Sequence, residues 1–350
     1  MTQLTSQLTL YPDMTPTDLL KLCYQAEFGG GHLITDPDRA RVYLHEELAH
    51  TAPDDTVPLF EELGGNHARI NLAPAKVAGI DEELIFKLFA ASALPCGTPE
   101  GFRRRLEEAL IFADEGKFRF SRRELEVCIA DYDFSKLAPV GHSEAYRAAY
   151  HPAYRVIDAR YIRLMPLLLK LLFKLLSVTA CPTKPLVIAI DGRAASGKST
   201  AAELLGRIFD SAVIHADDFF LPFELRTAER TAEVGGNIHY ERFIDEVLPN
   251  LRGGAFTYGI FDCSRGAISG ERSLPASPIR IVEGSYCLHP KFGDYADIRI
   301  FLDITPAEQK RRILTRNGEA MWQNFRERWI PMEERYFEAT GIRDRVDFVL

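Results

Sequence analysis

The stretch Lys184–Phe209, KPLVIAIDGRAASGKSTAAELLGRIF, constrains this chain more than any other. An apolar run stops at Asp191, a glycine-rich turn follows, and an amphipathic helical pattern begins at Lys198. Gly192, Gly197, Lys198 and Ser199 fit G-x-x-x-x-G-K-[ST] without deviation. Such a turn lets successive backbone N–H groups point inward at an anion, and the following helix adds its positive end. The residues of the turn that would cradle a polyphosphate are Gly192, Ala195, Ser196, Gly197, Lys198, Ser199 and Thr200. Lys198 would reach the terminal phosphates and the Ser199 hydroxyl would ligate Mg²⁺. A nucleoside triphosphate such as ATP, with Mg²⁺, is the ligand this pattern predicts.

The grammar of the chain changes ahead of that turn. Residues 1–178 read as mostly helical: TPTDLLKLCYQAEF offers Thr15 as a cap with Pro16 at the first helical position, and DPDRARVYLHEELAH repeats the device with Asp36 and Pro37. IDEELIFKLFAASAL, TPEGFRRRLEEALIFADEG and SRRELEVCIADY continue at helical spacing, and HARINLA (67–73) is the one strand expected there. After CPTKP (181–185), short β-rich runs alternate with helical ones: LVIAI (186–190), AVIHA (212–216), IRIVEG (279–284), IRIFLDI (298–304) and VDFVL (346–350). Near-continuous apolar strands separated by helices indicate an α/β fold with a mainly parallel sheet covered on both faces. A boundary near 178–184 therefore separates a helical accessory domain (1–178) from a triphosphate-binding domain (179–350). LRGGAFTYGIFDC (251–263) adds a strand or an ordered loop within the second.

Composition narrows the setting. The net charge of −8 weighs against a nucleic-acid surface, which needs a basic face. The six cysteines are scattered singly, which suits a reducing compartment, and the N-terminus lacks the basic start and apolar core of a secretory signal. A cytoplasmic location is expected. YIRLMPLLLKLLFKLLS (161–177) is very apolar, but Pro166 and three cationic residues interrupt it, so a buried helix is expected rather than a membrane contact.

The neighbours of the turn select a reaction. The base-reading N-K-x-D string of a GTPase and the LSGGQ-like string of a transporter ATPase are both absent from the sequence. VIHADDFFLP (213–222) instead puts Asp217 and Asp218 at a strand's carboxyl end, where ligands bind in open α/β sheets. Asp217 would accept the proton of an attacking hydroxyl, and Asp218 is a second metal or substrate contact. Glu283, in IVEGSY, would hold Mg²⁺ at another strand tip. Arg311, Arg312 and Arg316 recur at helical spacing, and Arg312 and Arg316 in particular would neutralise the transferring phosphoryl group.

With these features in order, residues 185–350 resemble the uridine kinase and phosphoribulokinase family of P-loop kinases. The features are the turn Gly192–Thr200, Asp217 ahead of Phe219 and Phe220, Glu283-Gly284, and RRILTR in the lid helix. The resemblance implies ATP- and Mg²⁺-dependent phosphoryl transfer to a hydroxyl, with Asp217 as base. The acceptor would be a nucleoside or another small metabolite. It also directs attention to the region between Asp217 and Glu283, where His239, Tyr240, Arg242, Tyr258 and Asp262 are expected to contact that acceptor. Uridine kinases carry Ser where Asp218 stands and a more acidic string where NIHYERF stands, which argues against uridine itself. A second reading is a nucleotide sensor that binds ATP without an acceptor; a third, a kinase of nucleic-acid ends, conflicts with the charge. Within residues 1–178, EFGGGHLITD (27–36) reads as a helix cap and turn or an anion nest, and GHSEAYRAAYHPAYRVID (141–158) as an interdomain surface or a phosphate contact.

Overall fold

A computed structural model describes residues 2–177 and 184–350. Of the expected boundary at 178–184, residues 178–183, Cys181 included, lie outside the described residues. The chain divides into two compact units, Met1–Leu172 and Phe173–Leu350.

The first unit is mainly helical, and its caps follow local chemistry. Thr15 and Asp18 close a capping box at the start of Pro16–Phe28, and the Asp36 carboxylate accepts from the Arg39 N–H at the start of Pro37–His50. Helices Glu82–Ala91, Pro99–Asp114 and Arg122–Ala130 follow, as their apolar spacing predicts. The strand expected at HARINLA forms as β2 (His67–Asn71), but it is the centre of a three-stranded antiparallel sheet with β1 (Phe60–Gly64) and β3 (Tyr154–Asp158). The two flanking strands escape a pattern-based reading. β1 is FEELG, too polar to read as a strand, and β3 is buried at four of its five positions and lacks polar alternation. The Leu-rich segment forms the helix Arg160–Ser177, with Leu164, Leu167, Leu168 and Leu171 buried. Among the described residues, no helix is long and apolar enough to cross a membrane.

The second unit is an α/β fold around a five-stranded parallel sheet. Its strands are β4 (Leu186–Gly192), β5 (Ser211–His215), β8 (Ile279–Glu283), β9 (Ile298–Leu302) and β10 (Phe348–Val349). The remaining two, β6 (Phe256–Asp262) and β7 (Ala267–Leu274), form a separate antiparallel hairpin. The sheet order is β10-β9-β4-β8-β5, so the glycine-rich turn leaves a central strand. Register places Ile190 opposite Glu283, and His215 opposite Glu283 from the other side. The turn, Glu283 and the segment after His215 thus leave three adjacent strands along one carboxyl edge.

Candidate active site

The backbone of the turn is fixed first. Gly192 has φ +137°, and a Cβ there would lie 2.2 Å from the Leu302 carbonyl oxygen, so no side chain fits between β4 and β9. The buried Asp191 accepts from the N–H groups of Gly192, Tyr286 and Leu288 and from the Tyr336 hydroxyl, tying the turn to the segment after β8. Glu333 does the same from the helix Ile330–Thr340: one oxygen accepts from the Ala194 N–H at 2.9 Å, the other from the Ser285 hydroxyl at 2.7 Å. Burial raises the pKa of both acids. Lys198 donates to the carbonyls of Gly192 (2.8 Å) and Arg193 (3.0 Å). The ammonium is thereby held over the turn it would serve.

On the adjacent tips, Ser199 Oγ donates to Glu283 Oε2 at 3.1 Å, and Glu283 Oε1 lies 2.6 Å from His215 Nδ1. The hydrogen bond to Glu283 raises the His215 pKa, its partial burial opposing. Ser199 and Glu283 are therefore one oxygen pair, backed by a histidine that the sequence reading did not assign. A signal for it existed: His215 precedes Asp217 by two residues on the same strand tip.

Asp217 opens into a cleft of about 990 Å³ together with Ala195, Gly197, Lys198, Ser199, Thr200 and Glu283. Asp217 is exposed towards the cleft, although many protein atoms crowd round its carboxyl. Desolvation accordingly pushes its pKa up to about 6, with Glu283 adding and Lys198 opposing. Gly284 makes this approach feasible: at φ +136°, a Cβ there would sit 2.9 Å from the Ala216 Cβ and 3.2 Å from Asp217 Oδ1.

The helix Pro306–Asn324 supplies Arg311, Arg312 and Arg316 to the cleft wall. Arg312 donates to the carbonyls of Ala195 and Ser196 and to Glu308, Arg311 to Glu308, and Arg316 to Asn317. The helix breaks at Gly318 (φ 78°, ψ 175°) before the π-helical turn Phe325–Trp329, so the wall bends over the cleft.

Other expected residues lie elsewhere. Gly192 and Ser196 shape the turn without lining the cleft, and the buried Ser196 hydroxyl finds no partner among the described residues. Asp218 does not line it either: it accepts from the Tyr258 hydroxyl and Arg272 Nε, both at 3.1 Å. None of the five expected acceptor contacts lines the cleft. His239 caps the helix Tyr240–Glu246, and the Tyr240 hydroxyl donates to Glu233. Arg242 is bidentate on Glu246 and also donates to the Gly259 carbonyl, while Asp262 caps the turn at Ser264. These residues build the wall behind the cleft. The surface in front of them consists of Phe220, Phe223, Arg226, Phe261, Cys263 and Arg328, which the sequence reading passed over.

No family model matches the chain. The C-terminal half is similar in structure to a possible uridine kinase from Bacillus stearothermophilus, at 19% identity and TM-score 0.39, covering 52% of this chain and 96% of that one. A candidate fructose transport system kinase from Silicibacter matches at 22% identity and TM-score 0.38, covering 49% and 91%. D-glycerate 3-kinase from Cryptococcus neoformans matches at 15% and 0.30, covering 43% and 78%. None of these extends over the N-terminal half. At such identities and scores the likenesses carry no functional reading, which rests on the side chains of the cleft.

Proposed function

We propose that this protein is an ATP-dependent kinase of a small hydroxyl compound. One observation carries the reading: a carboxyl group at a strand tip, Asp217, shares a cleft with Lys198 and the Ser199–Glu283 pair. A site that only binds a triphosphate has no use for a proton acceptor; a transferase does.

The turn Gly192–Thr200 would hold the phosphates on its N–H groups, and Lys198 would exchange its carbonyl partners for the β- and γ-phosphates. Mg²⁺ commonly takes only one or two protein oxygens and completes its shell with phosphate and water, which Ser199 and Glu283 suit. When bound, it would neutralise charge on the phosphates. Asp217 would accept the acceptor's proton as the acceptor oxygen–phosphorus bond forms. The bond from the γ-phosphorus to the bridging oxygen breaks, and ADP leaves with that electron pair. Arg312 and Arg316 would offset the charge on the moving phosphoryl group.

The test is ADP release with Mg·ATP against a panel of hydroxyl compounds. Acceptor-stimulated release, lost in Asp217→Asn while ATP still binds, is the expected result. Tight ATP binding with no acceptor able to stimulate release would favour the sensor reading.

A further inference from the structure

Beyond the phosphate-binding residues, the cleft continues along the segment after Asp217, and its chemistry there is distinctive. Arg226 lies with its guanidinium over the Phe223 ring, 4.5 Å from the centroid, and 5.8 Å from that of Phe261. Its Nε donates to the Leu221 carbonyl at 2.7 Å, which fixes the plane of the group, and both terminal nitrogens are without a hydrogen-bond partner among the described residues. Arg328, exposed in the π-helical turn, lines the same cleft. Arg311 and Arg312 are each paired with Glu308, whereas neither Arg226 nor Arg328 has a carboxylate partner among the described residues.

The cleft thus holds two guanidinium groups with no acid beside either among the described residues, and an anion bound there would supply the missing opposite charge. Burial lowers the Arg226 pKa, and repulsion from Arg328 adds to it. The Phe261 ring near Arg226 also meets Phe220 at 6.4 Å, three residues on from Asp217, which puts Arg226 on the side of the proton acceptor.

We infer that Arg226 and Arg328 form an anion-recognition subsite, so that the phosphoryl acceptor is a small hydroxyl compound bearing its own carboxylate or phosphate. This rests on the kinase reading above and names the substrate class for the same cleft. The planar Arg226, preset by Leu221 and two aromatic rings, would take the anion side-on, and Arg328 would close on it. That anchors the molecule so that one of its hydroxyls reaches Asp217.

Matched acceptor series test this: glycerol, glycerate and glycerol 3-phosphate; ribose, ribonate and ribose 5-phosphate; and uridine as a neutral nucleoside. ADP release with Mg·ATP should be stimulated by an anionic member over its neutral parent, and comparing carboxylate with phosphate identifies the anion. Arg328→Gln, at an exposed position, and Arg226→Gln should each raise KM for that acceptor by about 10- to 10²-fold with KM for ATP little changed. Arg226→Lys should recover part of the loss and shows whether the glutamine variant has simply misfolded. A neutral member as best acceptor, with KM unmoved in both glutamine variants, overturns the inference and leaves the kinase reading standing. A rise in KM for ATP alone also overturns it, by giving the pair to the triphosphate. The converse is separable by calorimetry with a non-hydrolysable ATP analogue. Arginine-dependent binding of an anionic member without ADP release would uphold the subsite and remove the kinase reading.

Discussion

The two units differ in what some of their charged side chains face. In the first, Arg69 is fully enclosed and donates to Gln7 and Gln25, with Glu61 at 3.5 Å; Glu61 in turn accepts from Tyr11, Gln7 and Asn71. Asp18 accepts from Thr15 and Ser143 and pairs with His142. Apart from Arg69 Nε, these groups are answered by neighbours from the same unit. In the second, Asp217, Arg226 and Arg328 face a cavity that protein atoms do not fill. A buried charge enclosed by partners stabilises one arrangement of the chain, whereas one facing a cleft is available to a ligand. By that criterion, the second unit carries the candidate site, and these polar groups of the first hold its fold.

The sharpest attempt to break this contrast is Lys198→Ala. It should lower acceptor-dependent ADP release by about 10³-fold or more without unfolding the second unit, as judged by circular dichroism and release assays. In the first unit, Arg69→Met should leave Glu61 enclosed without its cation and cost about 3–5 kcal/mol of stability. Denaturant melts would show this, and the affinity for ATP should not move. A change in that affinity would mean the network is not purely structural.

Asp217→Asn should reduce turnover by about 10²-fold while raising thermal stability at pH 7.5. The sign follows from linkage. Its folded pKa of about 6 exceeds the unfolded value near 4, so the wild-type group favours folding below pH 4 and loses that contribution as pH rises through 6. Asparagine lacks the charge penalty, and the two melting curves should meet near pH 4. Asp18 predicts the reverse. Burial would raise its pKa, but hydrogen bonds from His142, Thr15 and Ser143 outweigh that and hold it low. Its contribution is therefore present above pH 4 and lost in acid, so Asp18→Asn should flatten the acid limb of stability. The smallest effect expected is on rate: kcat/KM should fall about tenfold per pH unit below 6, as Asp217 takes up its proton.

What was legible in the sequence was what local backbone chemistry fixes. The turn Gly192–Thr200, the caps at Thr15 and Asp36, and the apolar strands of the parallel sheet each depend on residues close in the chain. Asp217 and Glu283 could be placed at strand tips for the same reason. The five residues expected on the acceptor side do not line the cleft. Residue type alone marks Arg242 and Tyr258 as binding groups, but Arg242 finds Glu246 and Tyr258 finds Asp218, and both are occupied. Arg226 is equally an arginine, but it has no acid beside it among the described residues.

Alone, the sequence determined that a glycine-rich turn follows a strand of a parallel sheet, because turn geometry and strand periodicity are written into consecutive residues. Tertiary structure decided which of the adjacent acids Asp217 and Asp218 opens to the cleft, that His215 backs Glu283, and which arginines remain unpaired. Those outcomes depend on partners tens of residues away, which only folding brings together.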